Sequence, residues 1–187
     1  MFHLLESIGS ARIEGNHTTI AEYVEAKISA TDKPVESIEE IENIEKALAF
    51  IEREISSGTP VSHQFVKELH HITVHGLNRE GDKAPGNYRQ HAVVISGSPH
   101  KPPEHIFVHP LMEELLCFIN RTDEPQYDLM KIALSHHRFA WIHPFGNGNG
   151  RVVRLLTYAL LIKYGFKVSS GGRVLNPTAV FCNDRVS

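Results

Sequence analysis

Residues 143–154 read His143-Pro144-Phe145-Gly146-Asn147-Gly148-Asn149-Gly150-Arg151-Val152-Val153-Arg154. Three alternating glycines permit a tight turn and a close approach to a ligand. The apolar run that follows predicts a helix, whose N-terminal amides and dipole favour an anion. Arg151 and Arg154 are three residues apart, so they can share one helical face and suit a polyphosphate. His143 can take a proton near neutral pH. This stretch therefore predicts phosphoryl or nucleotidyl transfer.

Two common phosphate-binding motifs do not fit this stretch. Its glycines are not followed by Lys-Ser or Lys-Thr, as they are in a P-loop. They alternate, and no strand clearly precedes them, so the dinucleotide-binding fingerprint is not matched either. A glycine-rich turn, or a histidine before proline, is usually structural when it stands alone. The specific signal is the combination of all these residues.

The composition fits one globular domain that does not bind nucleic acid. The chain has 187 residues, of which 41% are hydrophobic, enough for a single core. With 19 basic and 22 acidic side chains, the net charge of −3 argues against nonspecific nucleic-acid binding. Two separated cysteines make neither a disulfide framework nor a zinc pattern. Because we find no signal peptide and no apolar run of about 20 residues, we expect a cytoplasmic protein without a membrane partner.

Hydrophobic periodicity predicts a mainly α fold of about seven or eight helices with one β-hairpin. Apolar spacings of three and four indicate helices in residues 2–13, 20–28, 38–55, 62–77, 109–120, 128–142 and 151–164. Ser37 and Glu40 predict a capping box for the third helix, and Ser62 predicts an N-cap for the fourth. Residues 84–108 differ, because Gly, Pro and Asn surround the β-like run 92–95. That pattern is typical of an exposed hairpin, or flap.

The loop at 143–154 resembles the signature of the Fic family, His-Pro-Phe-x-Asp/Glu-Gly-Asn-Gly-Arg-x-x-Arg. It matches at every fixed position except Asn147. The resemblance extends over about residues 10–185, and it implies that residues 1–187 form a single Fic domain. It further implies a protein adenylyltransferase that takes ATP as its substrate. The chain stops shortly after residue 183, an ending compatible with a missing C-terminal part.

The resemblance also assigns the chemistry. His143 would be the general base that deprotonates a Ser, Thr or Tyr hydroxyl of a target protein. Phe145 would anchor the loop in the core. The hydroxyl would attack the α-phosphate of ATP in line, and pyrophosphate would leave. Such chemistry depends mostly on positioning and on charge stabilisation.

The same resemblance implies a nucleotide site at the start of the helix that follows the loop. The amides from Gly148 to Gly150, together with Asn149, would hold the α- and β-phosphates. Arg151 would bind the β-phosphate, and Arg154 would bind the γ-phosphate. In addition, Asn183 would lie near the adenine pocket.

Asn147 occupies the position where the family has Asp or Glu, the usual Mg²⁺ ligand. Mg²⁺ is commonly held by one or two carboxylates together with phosphates. Asn147 offers a carbonyl oxygen without a charge, so metal binding would depend mainly on the ATP phosphates. We expect an activity that survives but is weaker. An Asn147→Asp variant that failed to raise Mg²⁺-dependent labelling would show that the amide is not limiting.

An N-terminal helix in residues 1–16 contains Ser10-Ala11-Arg12-Ile13-Glu14-Gly15. This stretch resembles the family's inhibitory motif, Ser/Thr-x-x-x-Glu-Gly/Asn. Ser10 and Glu14 are four residues apart and therefore share one helical face. The resemblance implies that the Glu14 carboxylate pairs with Arg154, occupies the partner of the γ-phosphate and inhibits the enzyme.

The flap region also carries a resemblance. Gly86-Asn87-Tyr88-Arg89 and the run that follows it resemble the family segment on which a target protein docks. An exposed strand edge at residues 91–95 could pair with an extended target segment through main-chain hydrogen bonds. The side chains predicted to dock the target are Val93, Val94 and Ile95.

Other functions remain open on the sequence alone. The domain could remove AMP from a modified protein, with Glu14 positioning water. It could also be a catalytically weak nucleotide-binding regulator, because Asn147 replaces the acidic metal ligand. Transfer of UMP or phosphate, self-modification and homo-oligomer formation are further alternatives, and the target protein is not identified.

Overall fold

The computed structural model describes residues 2–29, 35–79 and 81–166, and within these ranges the fold is mainly helical. Two single-turn 3-10 helices, His105–Phe107 and Pro125–Tyr127, precede the fifth and sixth α-helices. The α-helices in the described ranges are α1 Phe2–Ile13, α2 Ile20–Ile28, α3 Glu36–Glu54, α4 His63–Val74, α5 Val108–Asn120, α6 Asp128–Ile142 and α7 Asn149–Lys163.

The helix starts show which capping signals the folded chain uses. Ser62 caps α4, because its side chain accepts a hydrogen bond from the Phe65 amide, as predicted. The capping box predicted at Ser37 and Glu40 is wrong, because α3 already begins at Glu36 and Glu40 is buried. A capping box forms instead at α2, where Thr19 and Glu22 bond reciprocally.

Helix α7 is the centre of the fold. It packs against α1, α3, α4 and α6. Because neighbours surround it, α7 is apolar on several faces rather than along a single stripe. Its fully or nearly fully buried side chains include Val152, Leu155, Leu156, Ala159 and Leu160. The start of α7 is therefore held rigidly between α1, α3 and the loop that precedes it.

The β-hairpin predicted for residues 84–108 does not appear among the described residues. Residues 92–95 form no regular secondary structure and pair with no strand in the described ranges, and Val94 is 91% exposed. A turn follows it, closed by a hydrogen bond from the Ser98 amide to the Ile95 carbonyl, with Gly97 at φ 72°. The hairpin stays a prediction. Across the described ranges, no helix combines the length and apolar character that a membrane crossing requires.

Candidate active site

His143 ends α6 in an unusual backbone conformation. It lies at φ 52° and ψ 62°, and no other non-glycine residue in the described ranges has a positive φ. Proline at 144 disfavours a right-handed conformation at the preceding residue. The left-handed conformation costs about 1–2 kcal/mol, so its surroundings must enforce it. Such strain is concentrated at functional sites, and here it turns the chain sharply out of the helix.

Burial governs the protonation of His143. Its partial burial lowers the pKa, and the nearby Arg89 and His100 act in the same direction. A hydrogen bond to the Ala140 backbone and the charge of Glu14 oppose that shift only in part. The imidazole is therefore neutral at pH 7 and able to accept a proton.

Phe145, which the resemblance assigns as the loop anchor, is fully buried. Its ring stacks on His70, with the centroids 3.7 Å apart and the planes at 8°. The backbone of Phe145 is held by the carboxamide of Asn149, which accepts from the Phe145 amide at 2.9 Å and donates to its carbonyl at 3.0 Å. The Asn149 carboxamide thus braces the loop backbone, and one of its two N–H donors is not used by Phe145.

The start of α7 is a helix N-terminus without a side-chain cap. Gly148 adopts φ 71° and has no side chain that could cap the helix, which begins at Asn149. The carboxylate of Glu14 lies at this end: its Oε1 would be 2.5 Å from a Cβ added to Gly150. A negative group is thus already placed where the amides and dipole favour an anion.

Arg154 joins α7 to the N-terminal helix. Its Nη2 donates to Glu14 Oε1 at 2.6 Å and to the Ser10 carbonyl at 3.1 Å. Its Nε donates to Ser10 Oγ at 2.9 Å. The Glu14 and Arg154 side chains are 29% and 15% exposed, so water screens this ion pair only in part. The structure therefore brings together the three residues that the inhibitory motif implicates.

Arg151 lies deeper than a residue on an open ligand surface. Its side chain is 1% exposed, and Nη1 bonds Glu40 Oε1 at 3.0 Å. The other carboxylate oxygen of Glu40 accepts from Asn16 Nδ2 at 2.9 Å, so Glu40 ties α3 to α7 and to the end of the inhibitory segment. The β-phosphate contact implied for Arg151 stays a prediction.

Asn147 faces a segment that the sequence analysis did not single out. Its Nδ2 donates to the Gly81 carbonyl at 3.1 Å, and its Oδ1 accepts from the Gly148 amide at 2.7 Å. The Asp82 carboxylate, 6% exposed, accepts from the Asn147 amide at 2.9 Å and from the Ala84 amide at 2.9 Å. These oxygens already brace the loop. One carboxylate and one amide oxygen would need phosphate oxygens to complete the coordination of Mg²⁺, and among the described residues no group of three potential metal ligands occurs.

His70 supports the same loop from beneath. Its Nδ1 accepts from the Gly86 amide at 3.0 Å, which leaves Nε2 to donate to the Asn147 carbonyl at 3.2 Å. Burial lowers the pKa of His70 to about 4, so it is neutral at pH 7. His70 thus links the 143–154 loop to the start of the flap region.

Sequence reasoning missed Glu40, His70 and Asp82. A weak signal existed for Glu40, which lies four residues before Ile44 and so shares the apolar face of α3. Nothing comparable marked Asp82. Of the predicted docking residues, Val94 is exposed, whereas Val93 and Ile95 are partly buried. Asn183 lies outside the described residues.

These observations define a class: a helical domain in which a strained histidine and an uncapped helix start flank one loop. Residues 60–161 match the Fic/DOC family, which is more than half of the chain. The chain belongs to the Fic/DOC family.

Known relatives agree with this assignment. The chain is 28% identical over 169 residues to "Protein adenylyltransferase Fic" of Drosophila virilis, covering 88% of this chain and 33% of that protein. The Drosophila melanogaster protein of the same name gives the same identity with 32% of its length covered. The chain therefore spans about a third of the length of these relatives.

Solved structures support the fold. A Fic domain containing signaling protein from Bacteroides thetaiotaomicron superimposes with a TM-score of 0.74 at 22% identity, over 97% of this chain and 69% of that one. A Fic family protein from Desulfovibrio desulfuricans superimposes with a TM-score of 0.69 at 24% identity, over 86% and 48% of the two chains.

Proposed function

We propose that this domain is a protein adenylyltransferase that its own first helix holds inactive. The observation that carries the proposal is the contact of Glu14 with both Arg154 and the start of α7, opposite a neutral, strained His143. The name of the Drosophila relatives supports the same activity.

ATP would bind with its phosphates at the start of α7. The amides from Gly148 to Gly150 face a favourable dipole, and Arg154 supplies a guanidinium that can bond an anion through two nitrogens. Arg151, buried against Glu40, would act on the β-phosphate from behind the loop, or would fix the loop that does so. Mg²⁺ would be held mainly by the phosphates and not by Asn147.

The reaction would proceed by in-line displacement. The hydroxyl oxygen of the target attacks the α-phosphorus while its proton passes to the imidazole of His143. The bond from the α-phosphorus to the bridging oxygen breaks, and pyrophosphate leaves with the electron pair. His143 can accept the proton because its lowered pKa keeps it neutral at pH 7.

The flap would present the target. Residues 92–95 lie outside regular secondary structure, Val94 is almost fully exposed, and the backbone pairs with no strand in the described ranges. An extended peptide could therefore add to this edge through main-chain bonds, so that the hairpin is completed by the target itself. Val93 and Ile95 would pack beneath it.

Inhibition would follow from competition between Glu14 and the γ-phosphate for the Arg154 guanidinium. While Arg154 Nη2 donates to Glu14 Oε1 at 2.6 Å, that donor is not available to a γ-phosphate. The negative charge of Glu14 would also repel the phosphate. A triphosphate that binds under these conditions is misaligned, and a displacement of about 1 Å can reduce the rate about a hundredfold. Removing the Glu14 side chain should therefore increase the transfer of AMP.

Two positions of label on ATP test the proposal. The wild type, Glu14→Gly and Glu14→Gly/His143→Ala proteins are incubated with Mg²⁺ and with ATP labelled on either the α- or the γ-phosphate. A cell lysate is added as a source of targets. We expect protein-bound α-label that is strongest in Glu14→Gly, is lost when His143 is also replaced, and is absent with γ-label.

Other outcomes point to the competing functions. Protein-bound γ-label would indicate phosphate transfer. Loss of AMP from a pre-modified protein, dependent on Glu14, would indicate the hydrolase. ATP binding without any label would indicate a regulator. Each of these results contradicts the transferase.

A further inference from the structure

Arg89 is a buried arginine with an unusual set of partners. It is 3% exposed, and no carboxylate pairs with it in the described part of the chain. Burial lowers its pKa, yet a guanidinium stays protonated in proteins. Its charge is satisfied entirely by backbone carbonyl oxygens. Burying a charge without a counter-ion is costly unless hydrogen bonds compensate it, and four bonds to carbonyl oxygens do so for Arg89.

The partners of Arg89 fall into two groups. At the end of α6, Nε donates to the His143 carbonyl at 2.8 Å, and Nη2 donates to the Ile142 carbonyl at 3.3 Å. In the flap region, Nη1 donates to the His91 carbonyl at 3.0 Å, and Nη2 donates to the Pro103 carbonyl at 2.6 Å. One side chain thus ties both ends of residues 91–103 to the C-terminus of α6.

The backbone of the same residue adds a fifth bond. The Arg89 amide donates to the Pro144 carbonyl at 2.9 Å. His100 contributes from further along the flap, because its Nε2 lies 2.9 Å from the Trp141 carbonyl. The carbonyls that a helix leaves without partners at its C-terminus are therefore bonded by donors of the flap region. A cation at this end also complements the helix dipole.

We propose that Arg89 is a positioning residue that fixes the distance between the target-docking flap and the catalytic base, His143. The inference rests on the proposed function and assigns a role within it. His143 has a left-handed backbone conformation that a non-glycine residue rarely adopts. The Arg89 side chain donates to the His143 carbonyl, and the Arg89 amide donates to the Pro144 carbonyl. The same guanidinium fixes both ends of the segment that would carry the target hydroxyl.

An arginine is suited to this task in a way that lysine is not. Its planar fork carries five N–H donors in fixed directions, whereas a lysine ammonium is a single point with three. Arg89→Lys keeps the positive charge near His143 but cannot reach four carbonyls at once. Arg89→Met removes both the charge and the donors. The two variants therefore separate electrostatics from geometry.

The charge of Arg89 provides a readout that does not depend on activity. The groups that influence the His143 imidazole are Arg89 and His100, which lower its pKa, and Glu14, which raises it, beside burial and the Ala140 backbone bond. Removing the charge at position 89 should raise the pKa of His143. Keeping a charge there should leave that pKa closer to the parent value.

The experiment uses the Glu14→Gly protein as parent and compares Arg89→Lys, Arg89→Met and the control Arg138→Met. Arg138 is a suitable control because it lies on α6, the helix whose C-terminus Arg89 bonds, but among the described residues it makes no hydrogen bond to the 143–154 loop. Its guanidinium carbon is 4.5 Å from the Trp141 ring centroid, and its side chain is 39% exposed. Measurements are ATP affinity, incorporation of AMP label, the His143 pKa by NMR titration, and hydrogen exchange of residues 91–103.

We expect both Arg89 variants to lose about 10- to 100-fold in AMP incorporation, as a displacement of about 1 Å would cause. ATP affinity should change less than about twofold, because Arg89 does not contact the start of α7. Arg89→Met should raise the pKa of His143, whereas Arg89→Lys should not. Both Arg89 variants should speed the amide hydrogen exchange of residues 91–103. Arg138→Met should change neither the pKa of His143 nor this exchange.

Three results would overturn the role of Arg89: unchanged incorporation in both variants, unchanged exchange in the flap, or a loss of ATP affinity equal to the loss of incorporation. If the Glu14→Gly parent itself incorporates no label, the proposed function fails instead. The NMR titration and the exchange rates still decide whether Arg89 holds His143 and the flap. If Arg89→Met does not fold, Arg89→Lys retains the charge and supplies the test.

Discussion

The contact between Glu14 and Arg154 gives a quantitative prediction for ATP binding. In Glu14→Gln the side chain keeps its size and can still accept a hydrogen bond, but it no longer carries a charge. The bond it weakens is 2.6 Å long, involves two charged groups and is only partly exposed. Hydrogen bonds to charged groups are worth about 1.5–3 kcal/mol. Because this bond competes with the γ-phosphate, its complete loss would raise ATP affinity about 10- to 150-fold. Glu14→Gln keeps a neutral acceptor, so its gain should fall in the lower part of that range.

Calorimetric titration with a non-hydrolysable ATP analogue measures this change, and ADP is the internal reference. The gain should be large for ATP and small for ADP, which lacks the γ-phosphate that Arg154 would bind. Glu14→Ala should gain at least as much as Glu14→Gln. Glu25→Gln, on the exposed part of α2, is the matched control and should gain nothing. Equal gains for ATP and ADP, or no gain, would refute the competition between Glu14 and the γ-phosphate.

Three further predictions concern the braces behind the loop. Asn147→Asp removes the donor to the Gly81 carbonyl and brings a second carboxylate close to Asp82. Thermal unfolding should therefore show a free energy of unfolding lower by about 1–3 kcal/mol, which Asp82→Asn should partly restore. Unchanged stability would contradict this. The pKa of His70 is about 4 in the folded protein and about 6.5 in the unfolded chain. The free energy of unfolding should therefore fall by roughly 3 kcal/mol as the pH drops from about 6.5 to about 4. Urea titrations at several pH values measure this fall, which should be smaller in His70→Gln. Glu40→Gln removes the buried charged partner of Arg151, and the free energy of unfolding should fall by about 3–5 kcal/mol in the same assay. A fall of less than about 1 kcal/mol would contradict a buried ion pair.

Much of the fold could be predicted from local patterns. Helices α1, α2 and α6 lie where apolar spacing of three and four places them. In α2, however, only Tyr23 of the predicted apolar face is buried. Ser62 was predicted as a cap because its effect on α4 is local. The capping box at Ser37 and Glu40 failed because a tertiary partner prevailed: Glu40 turns inward to meet Arg151.

The contacts that brace the site could not be predicted, because they join residues far apart in sequence. Glu40 and Arg151 are separated by 111 positions, and Asp82 and Asn147 by 65. Periodicity reports a residue's face but not its partner across the fold. The 92–95 run has real β propensity, but a strand also needs a partner, and the described chain supplies none.

The loop itself was more predictable because its function constrains consecutive residues. The stretch predicts a helix from residue 151, and the helix begins two residues earlier, at Asn149. Phe145, which the resemblance assigns as the anchor, is buried. What the stretch does not reveal is the left-handed conformation of His143, or that Arg89 from the flap region donates to its carbonyl. The direction of the Asn147 side chain depends likewise on a segment outside the loop.

The most direct test of the account is intact mass spectrometry of the Glu14→Gly protein after incubation with Mg²⁺ and ATP, beside the Glu14→Gly/His143→Ala protein. With the brake removed, the account predicts that the first protein, or a protein added with it, gains the mass of AMP while pyrophosphate appears in equal amount. The second should bind ATP equally well and gain nothing. An equal gain in both proteins would contradict the role of His143, and no gain in either, with ATP bound, would contradict the transferase itself.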